Sequence, residues 1–169
     1  MTHRHSPSRV RHAALIGAFA LSAVACAGSG DLLTPAEPLP HAVSAILDSL
    51  VVDEYRAAAR YQQVMQAFGT VSPFKEMEPV QAARVETLMQ IYRQYPAFPP
   101  PNPFGGPQYM ERYASVAGAC EVAVEAETAT AERYARAVAL NPPASVQKIL
   151  RYNRASTLAF EVAAATRCR

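Results

Sequence analysis

Two glutamates lie where an amphipathic helix ordinarily carries apolar side chains. Glu54 interrupts an apolar stripe between Leu50 and Ala57, and Glu127 interrupts a second stripe in the same way. A carboxylate inside a core is costly, so it needs a metal ion, a positive partner, a raised pKa or solvent at the stripe edge. A single such glutamate is most simply explained by a position at the flank of its helix. Two of them, at matching places in two helices, favour a shared polar site.

Apolar residues recur every three or four positions along most of the chain, which is the pattern of helices with one buried face. Ser72 is the expected N-cap of the second helix, with Pro73 in its first turn. Pro79 is expected to kink or split that helix. The Asn-Pro-Pro sequence at 141–143 separates the last two helices. The predicted helices cover residues 41–68, about 73–95, about 109–140, and from about 145 onward.

Residues 96–107 contain six prolines and two glycines, a composition that neither a helix nor a central strand tolerates. We interpret this stretch as a semi-rigid connector, with a docking segment of the polyproline II type as the alternative. It would form the long crossover between two helical hairpins. The sequence therefore predicts an all-α fold, an up-down four-helix bundle with one Pro-rich crossover.

Cys120 and Cys168 provide a check on this arrangement. Cys120 lies 21 residues before Asn141, and Cys168 lies 25 residues after Pro143. Antiparallel helices rise about 1.5 Å per residue, so the two cysteines should lie at similar heights in the last hairpin. A disulfide there would add roughly 2–4 kcal/mol of stability. Two separate, small buried residues are the alternative.

Residues 1–25 have the pattern of a signal peptide. Arg4, Arg9 and Arg11 form a basic start, and an apolar run follows over residues 13–25. That run is about 13 residues long, whereas a membrane-spanning helix needs about 20. We therefore predict that this leader is removed on export.

The leader ends in Leu-Ser-Ala-Val-Ala before Cys26, which resembles a bacterial lipobox, although Ala23 stands where Leu or Val is more usual. The sequence thus predicts lipidation of Cys26, with ordinary secretion and no lipid as the alternative. Residues 26–40 hold Gly, Ser and three prolines, and they are expected to form a flexible tether. The predicted domain is 41–169, in an exported lipoprotein anchored to the bacterial envelope.

Charge and motifs exclude several classes of function. The leader holds three of the 16 basic residues and none of the 14 acidic ones, so the remainder has 13 basic against 14 acidic residues. No basic surface for nucleic acid is therefore expected. A Gly-rich phosphate loop, Cys-x-x-Cys and Gly-x-Ser-x-Gly are all missing from the sequence. We expect a membrane partner through the lipid and an unidentified protein partner.

One further set of residues bears on the family of the chain: Asp53-Glu54-Tyr55, Tyr61-Gln62, Phe68-Gly69, Pro73-Phe74, Ala126-Glu127, Tyr134 and Arg167-Cys168. In these residues the chain resembles the ferritin-like family of uncharacterised bacterial proteins, which are single domains of four helices. The resemblance covers nearly all of residues 42–168 and is most specific in its first half.

This resemblance implies a di-iron-type site, with one Glu from each of two helices and a Glu-x-x-His motif from each of the other two. Glu54 and Glu127 match the single Glu positions. The second helix instead reads Gln81-Ala-Ala-Arg84, and the fourth is assigned Thr157-Leu-Ala-Phe160. Both histidines and two carboxylates are thus expected to be missing.

The remaining residues predict a degenerate site. His41, the only histidine after the leader, lies 13 residues before Glu54, about 20 Å along the helix. We expect a buried Glu54–Arg84–Glu127 cluster, with Gln81, Tyr61 or Tyr134 completing its hydrogen bonds; the alternative is an Arg84 that extends to solvent.

From this degenerate site we expect no cofactor, and we predict a non-catalytic function. Iron or manganese bound at Glu54 and Glu127 is the alternative, in a ferroxidase, iron-storage or peroxide-handling protein.

Overall fold

The computed structural model describes residues 36–106, 109 and 111–168. The predicted signal peptide, Cys26 and the first part of the tether lie outside the described residues. Within them the regular secondary structure is entirely helical, which confirms the all-α prediction. None of these helices is both long and apolar enough to cross a membrane.

In this described part of the chain the fold consists of four helices, and the last of them comprises three consecutive segments. The π-helical segment lies within the fourth helix and is continuous with the α-helical turns on both sides. The elements are α1 (His41–Phe68), α2 (Phe74–Gln94), α3 (Val116–Ala139) and the fourth helix, which comprises α4 (Ala144–Ser156), the π segment (Thr157–Val162) and α5 (Ala163–Cys168).

Two helix starts differ from the sequence-based prediction. α3 begins at Val116 rather than near residue 109, because the Ser115 hydroxyl caps it by accepting the Gly118 N–H at 3.0 Å. α2 begins after Pro73 without a side-chain cap, and the Ser72 hydroxyl donates to Glu76 instead. α2 also continues through Pro79 as one helix, at the cost of one backbone hydrogen bond.

Side-chain pairs establish the directions of the helices. Asp48 and Glu54 lie early in α1 and pair with late residues of α2 and α3, Tyr92 and Tyr134 respectively. α1 is therefore antiparallel to both α2 and α3. The fourth helix packs on α3 and α2 and is antiparallel to both of them. In chain order, the four helices therefore point up, down, down and up. Residues 95–115 must span the length of the bundle to connect α2 with α3.

Two apolar clusters lie one above the other along the bundle. One surrounds Leu50, Leu88 and Leu150 near the start of α1. The other surrounds Phe74 and Cys120 near the opposite end. Cys120 and Cys168 are disulfide-bonded there, with their Cα atoms 6.0 Å apart, and the predicted link between α3 and the end of the fourth helix is confirmed.

Candidate functional site: a buried polar layer

A layer of polar side chains separates the two apolar clusters, and every helix contributes to it. Each of its members is at most 2% exposed. The members are Glu54 from α1, Gln81 and Arg84 from α2, Glu127 from α3 and Glu161 from the π segment.

The Arg84 guanidinium lies among three carboxylates. Its Nη1 is 3.5 Å from Glu54 Oε2 and 3.9 Å from Glu127 Oε2, and its Nη2 contacts Glu161 Oε2. Nη1 also donates to Gln81 Oε1 at 3.3 Å, and Nη2 donates to the Ser156 hydroxyl at 3.2 Å. With 2% of its surface exposed, Arg84 does not extend to solvent.

Two buried tyrosines bind the glutamates reciprocally across the α1–α3 contact. The Tyr134 hydroxyl donates to Glu54 Oε1 at 2.6 Å, and the Tyr61 hydroxyl donates to Glu127 Oε1. Each glutamate precedes the tyrosine of its own helix by seven residues. Because α1 and α3 are antiparallel, a single alignment of the two helices brings both Glu–Tyr pairs together. Gln81 Nε2 adds a second donor to Glu127 Oε1 at 3.1 Å.

Asn153 and Thr157 extend the layer along the fourth helix. Asn153 Nδ2 donates to the Tyr134 hydroxyl at 3.2 Å and to the Thr87 hydroxyl at 2.9 Å. Thr157 is fully buried, as expected of an inward position, but its hydroxyl donates to the Asn153 carbonyl. Thr157 therefore supports the helix backbone, and its hydroxyl contacts none of the three carboxylates.

The prediction that Phe160 points into the bundle is wrong. Phe160 is 38% exposed, and Glu161 is fully buried in its place. A π-helical turn contains more residues than an α-helical turn, so the inward positions fall four residues apart, at Thr157 and Glu161. The α-helical spacing assumed from the sequence gave Phe160 instead. One feature of the sequence could have pointed to Glu161, because it is the only acidic residue between 133 and 168.

The layer holds more negative than positive groups. Burial raises the pKa of Glu54 and of Glu127, and it raises the pKa of Glu161 to about 7. Burial acts to lower the pKa of Arg84, but the carboxylate charges outweigh it, so this pKa is raised. Neither oxygen of Glu161 accepts a well-aligned hydrogen bond, and the same holds for Oε2 of Glu54. The layer therefore favours a permanently charged guanidinium with at least one protonated carboxyl group beside it.

A second polar cluster attaches the crossover to α1. Arg60 Nε donates to Glu111 Oε2 at 2.9 Å, and the hydroxyls of Tyr109 and Tyr113 donate to the same carboxylate. Burial opposes ionisation of Glu111, but these donors lower its pKa to about 2. The Gln63 side chain accepts the Glu111 backbone N–H at 2.6 Å. We call Arg60, Gln63, Tyr109, Glu111 and Tyr113 the crossover clasp; sequence reasoning missed it because its contacts span about fifty residues.

The polar layer does not fit the di-metal site that the family resemblance implies. The guanidinium occupies the space between the carboxylates, and none of the layer's side chains is a histidine. Among the described residues, no group of three or more His, Cys, Asp or Glu side chains is arranged to hold a metal ion. The geometry instead supports an ion cluster whose cation is part of the chain.

Searches for similar proteins among family models, curated proteins and solved structures found no match to this chain.

Proposed function

We propose that this protein is a non-catalytic module with a ferritin-like bundle, held at the bacterial envelope by a lipid on Cys26. Its core retains the layout of a di-metal site, but Arg84 supplies the positive charge. The observation that carries this proposal is the Arg84 guanidinium, fully buried among Glu54, Glu127 and Glu161. Its role would be binding or structural, with a partner outside the bundle core.

The π segment changes which residues of the fourth helix occupy the ligand positions of the ferritin-like di-metal scheme. With Glu161 inward, the motif of the fourth helix reads Glu161-Val-Ala-Ala164, and that of α2 reads Gln81-Ala-Ala-Arg84. Three of the four carboxylate positions are then kept, and both histidine positions are replaced, by Arg84 and Ala164. The up-down-down-up order and the single long crossover also match that architecture. Architecture alone does not determine activity, so the functional part of the proposal depends on the replaced ligands.

Metal content provides the test. Protein purified without a metal-affinity tag, from cells grown with added iron and manganese, should contain far less than one metal ion per chain by elemental analysis. The matched variant combines Gln81→Glu, Arg84→His and Ala164→His, which completes the ligand scheme, and it should gain Co²⁺ absorption bands on titration. Near-stoichiometric metal in the wild type, lost in Glu54→Ala, would overturn the proposal. A triple variant that folds but binds no Co²⁺ would contradict the assigned register.

The alternative is a metal-binding protein, a ferroxidase, iron-storage or peroxide-handling type, with a remodelled site at Glu54 and Glu127. The excess of three carboxylates over one guanidinium favours it, because a second cation would balance the buried charge. A proton on one carboxyl group achieves the same balance without a metal. The metal analysis above therefore separates the two functions.

A further inference from the structure

The tether reaches the domain at one particular end of the bundle. Leu39 and Val43 pack there with Tyr95 and Ala97 of the crossover and with Val146 of the fourth helix. We call this end, formed by residues 39–43, 95–98 and 138–146, the tether end. The opposite end, which holds the Cys120–Cys168 bond, is the disulfide end.

The tether end presents apolar side chains to solvent. Phe98, which follows the anchored Ala97, is 95% exposed, and Leu140 in the turn after α3 is 43% exposed. The chain carries no charged residue from 94 to 110, and a proline lies within two residues of each of these side chains. Phe98 is thus held almost fully in water on an uncharged segment, and together with Leu140 it gives this end exposed apolar side chains.

Basic residues predominate in the stretch of chain that contains Leu140. From 133 to 160 the chain has five basic residues and no acidic ones, and Lys148 and Arg151 are exposed within two turns of the start of the fourth helix. The disulfide end exposes charges of both signs, Glu76, Glu121 and Glu125 together with Lys75 and Arg167. The tether end therefore presents Phe98 and Leu140 to solvent, with Lys148 and Arg151 exposed within the first eight residues of the adjoining fourth helix.

We propose that the tether end docks on the surface of an anionic lipid bilayer. Phe98 and Leu140 insert among the lipid headgroups, and Lys148 and Arg151 lie over the phosphates. This inference rests on the proposed lipidation of Cys26, which brings this end of the bundle to the membrane. The 12 residues between Cys26 and the packed Leu39 extend up to roughly 40 Å, so the lipid alone leaves the domain free to turn. The apolar and basic surface fixes which end faces the membrane.

The sequence contains no tryptophan, so a single introduced tryptophan reports its own surroundings. Full-length lipidated Phe98→Trp protein is reconstituted in vesicles of phosphatidylglycerol and phosphatidylethanolamine with brominated acyl chains. The matched control is Phe160→Trp, because Phe160 is exposed at the disulfide end beside Pro73 and Cys168. We expect blue-shifted emission and at least about twofold stronger quenching at position 98 than at position 160. Equal quenching at the two positions overturns the docking proposal.

Charge provides a second measurement, made in the Phe98→Trp background. Adding Lys148→Glu should weaken quenching of the introduced tryptophan in phosphatidylglycerol vesicles, whereas adding Lys75→Glu at the disulfide end should leave it unchanged. No effect of Lys148→Glu would overturn the electrostatic part of the inference.

The lipid and the docking are tested separately. Mass spectrometry of the purified chain shows whether Cys26 carries the lipid. A lipidated Phe98→Trp chain whose fluorescence is not quenched overturns the docking and leaves the anchoring intact. A chain without lipid overturns the anchoring; docking is then decided by whether Phe98→Trp shifts to the blue when the same vesicles are added to a Cys26→Ser chain that lacks the apolar leader, residues 1–25.

Discussion

At the residue scale, Arg84 determines what the polar layer can do. A guanidinium stays charged at any physiological pH, and its planar set of donors can meet several carboxylates together. It therefore offsets one of the three carboxylate charges and occupies the space between the carboxylates. Buried ion clusters of this type give structural specificity more reliably than stability. Loss of the positive charge and loss of a negative charge should therefore each change the stability of the cluster.

Replacing Arg84 with methionine keeps much of the side-chain volume and removes the only cation of the layer. We expect the free energy of unfolding at pH 7 to fall by about 3–5 kcal/mol, because three buried carboxylates lose their partner. Urea denaturation measures this change. The control is Arg136→Met, whose side chain is 58% exposed and 4.0 Å from Glu132, and whose effect should stay below about 1 kcal/mol. Equal losses in the two variants would contradict a cluster centred on Arg84.

Glu161 gives the layer a defined pH dependence. Burial raises its pKa in the folded protein to about 7, from the ordinary glutamate value of 4.5. Between these values the folded state holds a proton that the unfolded state has released, so stability falls as the pH rises and the loss is complete above about pH 7–8.

Glu161→Gln fixes the neutral form of this side chain. Between pH 5 and pH 8, the unfolding free energy of the wild type should therefore fall by about 3 kcal/mol more than that of the variant. Denaturation curves across this range measure the difference, with Glu125→Gln on the exposed face of α3 as the control. Parallel pH profiles for wild type and Glu161→Gln would show that Glu161 ionises normally.

At the element scale, the sequence predicted the helices well and the fourth helix only in part. Periodic apolar residues predict where a helix lies and which face is buried, and α1 matches its expected range. Periodic apolar residues do not reveal a change in the number of residues per turn, because one wide turn shifts the inward-facing position of a helix by only a single residue. Phe160 was therefore assigned to the core in place of Glu161. The start of α3 was misplaced for another reason, since Tyr109 and Glu111 are held by long-range contacts to Arg60 and Gln63.

The π segment should behave as a one-residue insertion in an α-helix. Deleting Ala159, an exposed residue of this segment, should convert it to α-helix, keep Glu161 inward and preserve the Cys120–Cys168 bond. Circular dichroism should show a cooperative transition with little loss of melting temperature. Deleting the equally exposed Ala129 rotates the rest of α3 out of register, because α3 has no wide turn to absorb the change, and should abolish that transition. Similar damage from both deletions would contradict this view of the π segment.

At the scale of the whole molecule, the crossover is a requirement of the topology. α2 and α3 run in the same direction, so the connection between them must cover about 32 Å, the length of a 21-residue helix. The 21 residues from 95 to 115 reach roughly twice that distance when extended. The excess length leaves room for a free apolar segment around Phe98 and for the crossover clasp farther along. Of these two parts, only the clasp, which includes the buried Arg60, should contribute to stability.

Two deletions of equal length separate these parts of the crossover. Removing residues 98–103 or residues 109–114 leaves 15 residues in either case, which still span about 50 Å. The first deletion removes exposed side chains, and the melting temperature should change little. The second removes Glu111 and both tyrosines that bind it, so the buried Arg60 loses its partner and the unfolding free energy should fall by about 3–5 kcal/mol. Because both variants keep a sufficient span, a comparable loss from the first deletion would mean that the Phe98 segment stabilises the bundle, and its exposure would then need another explanation than contact with a membrane.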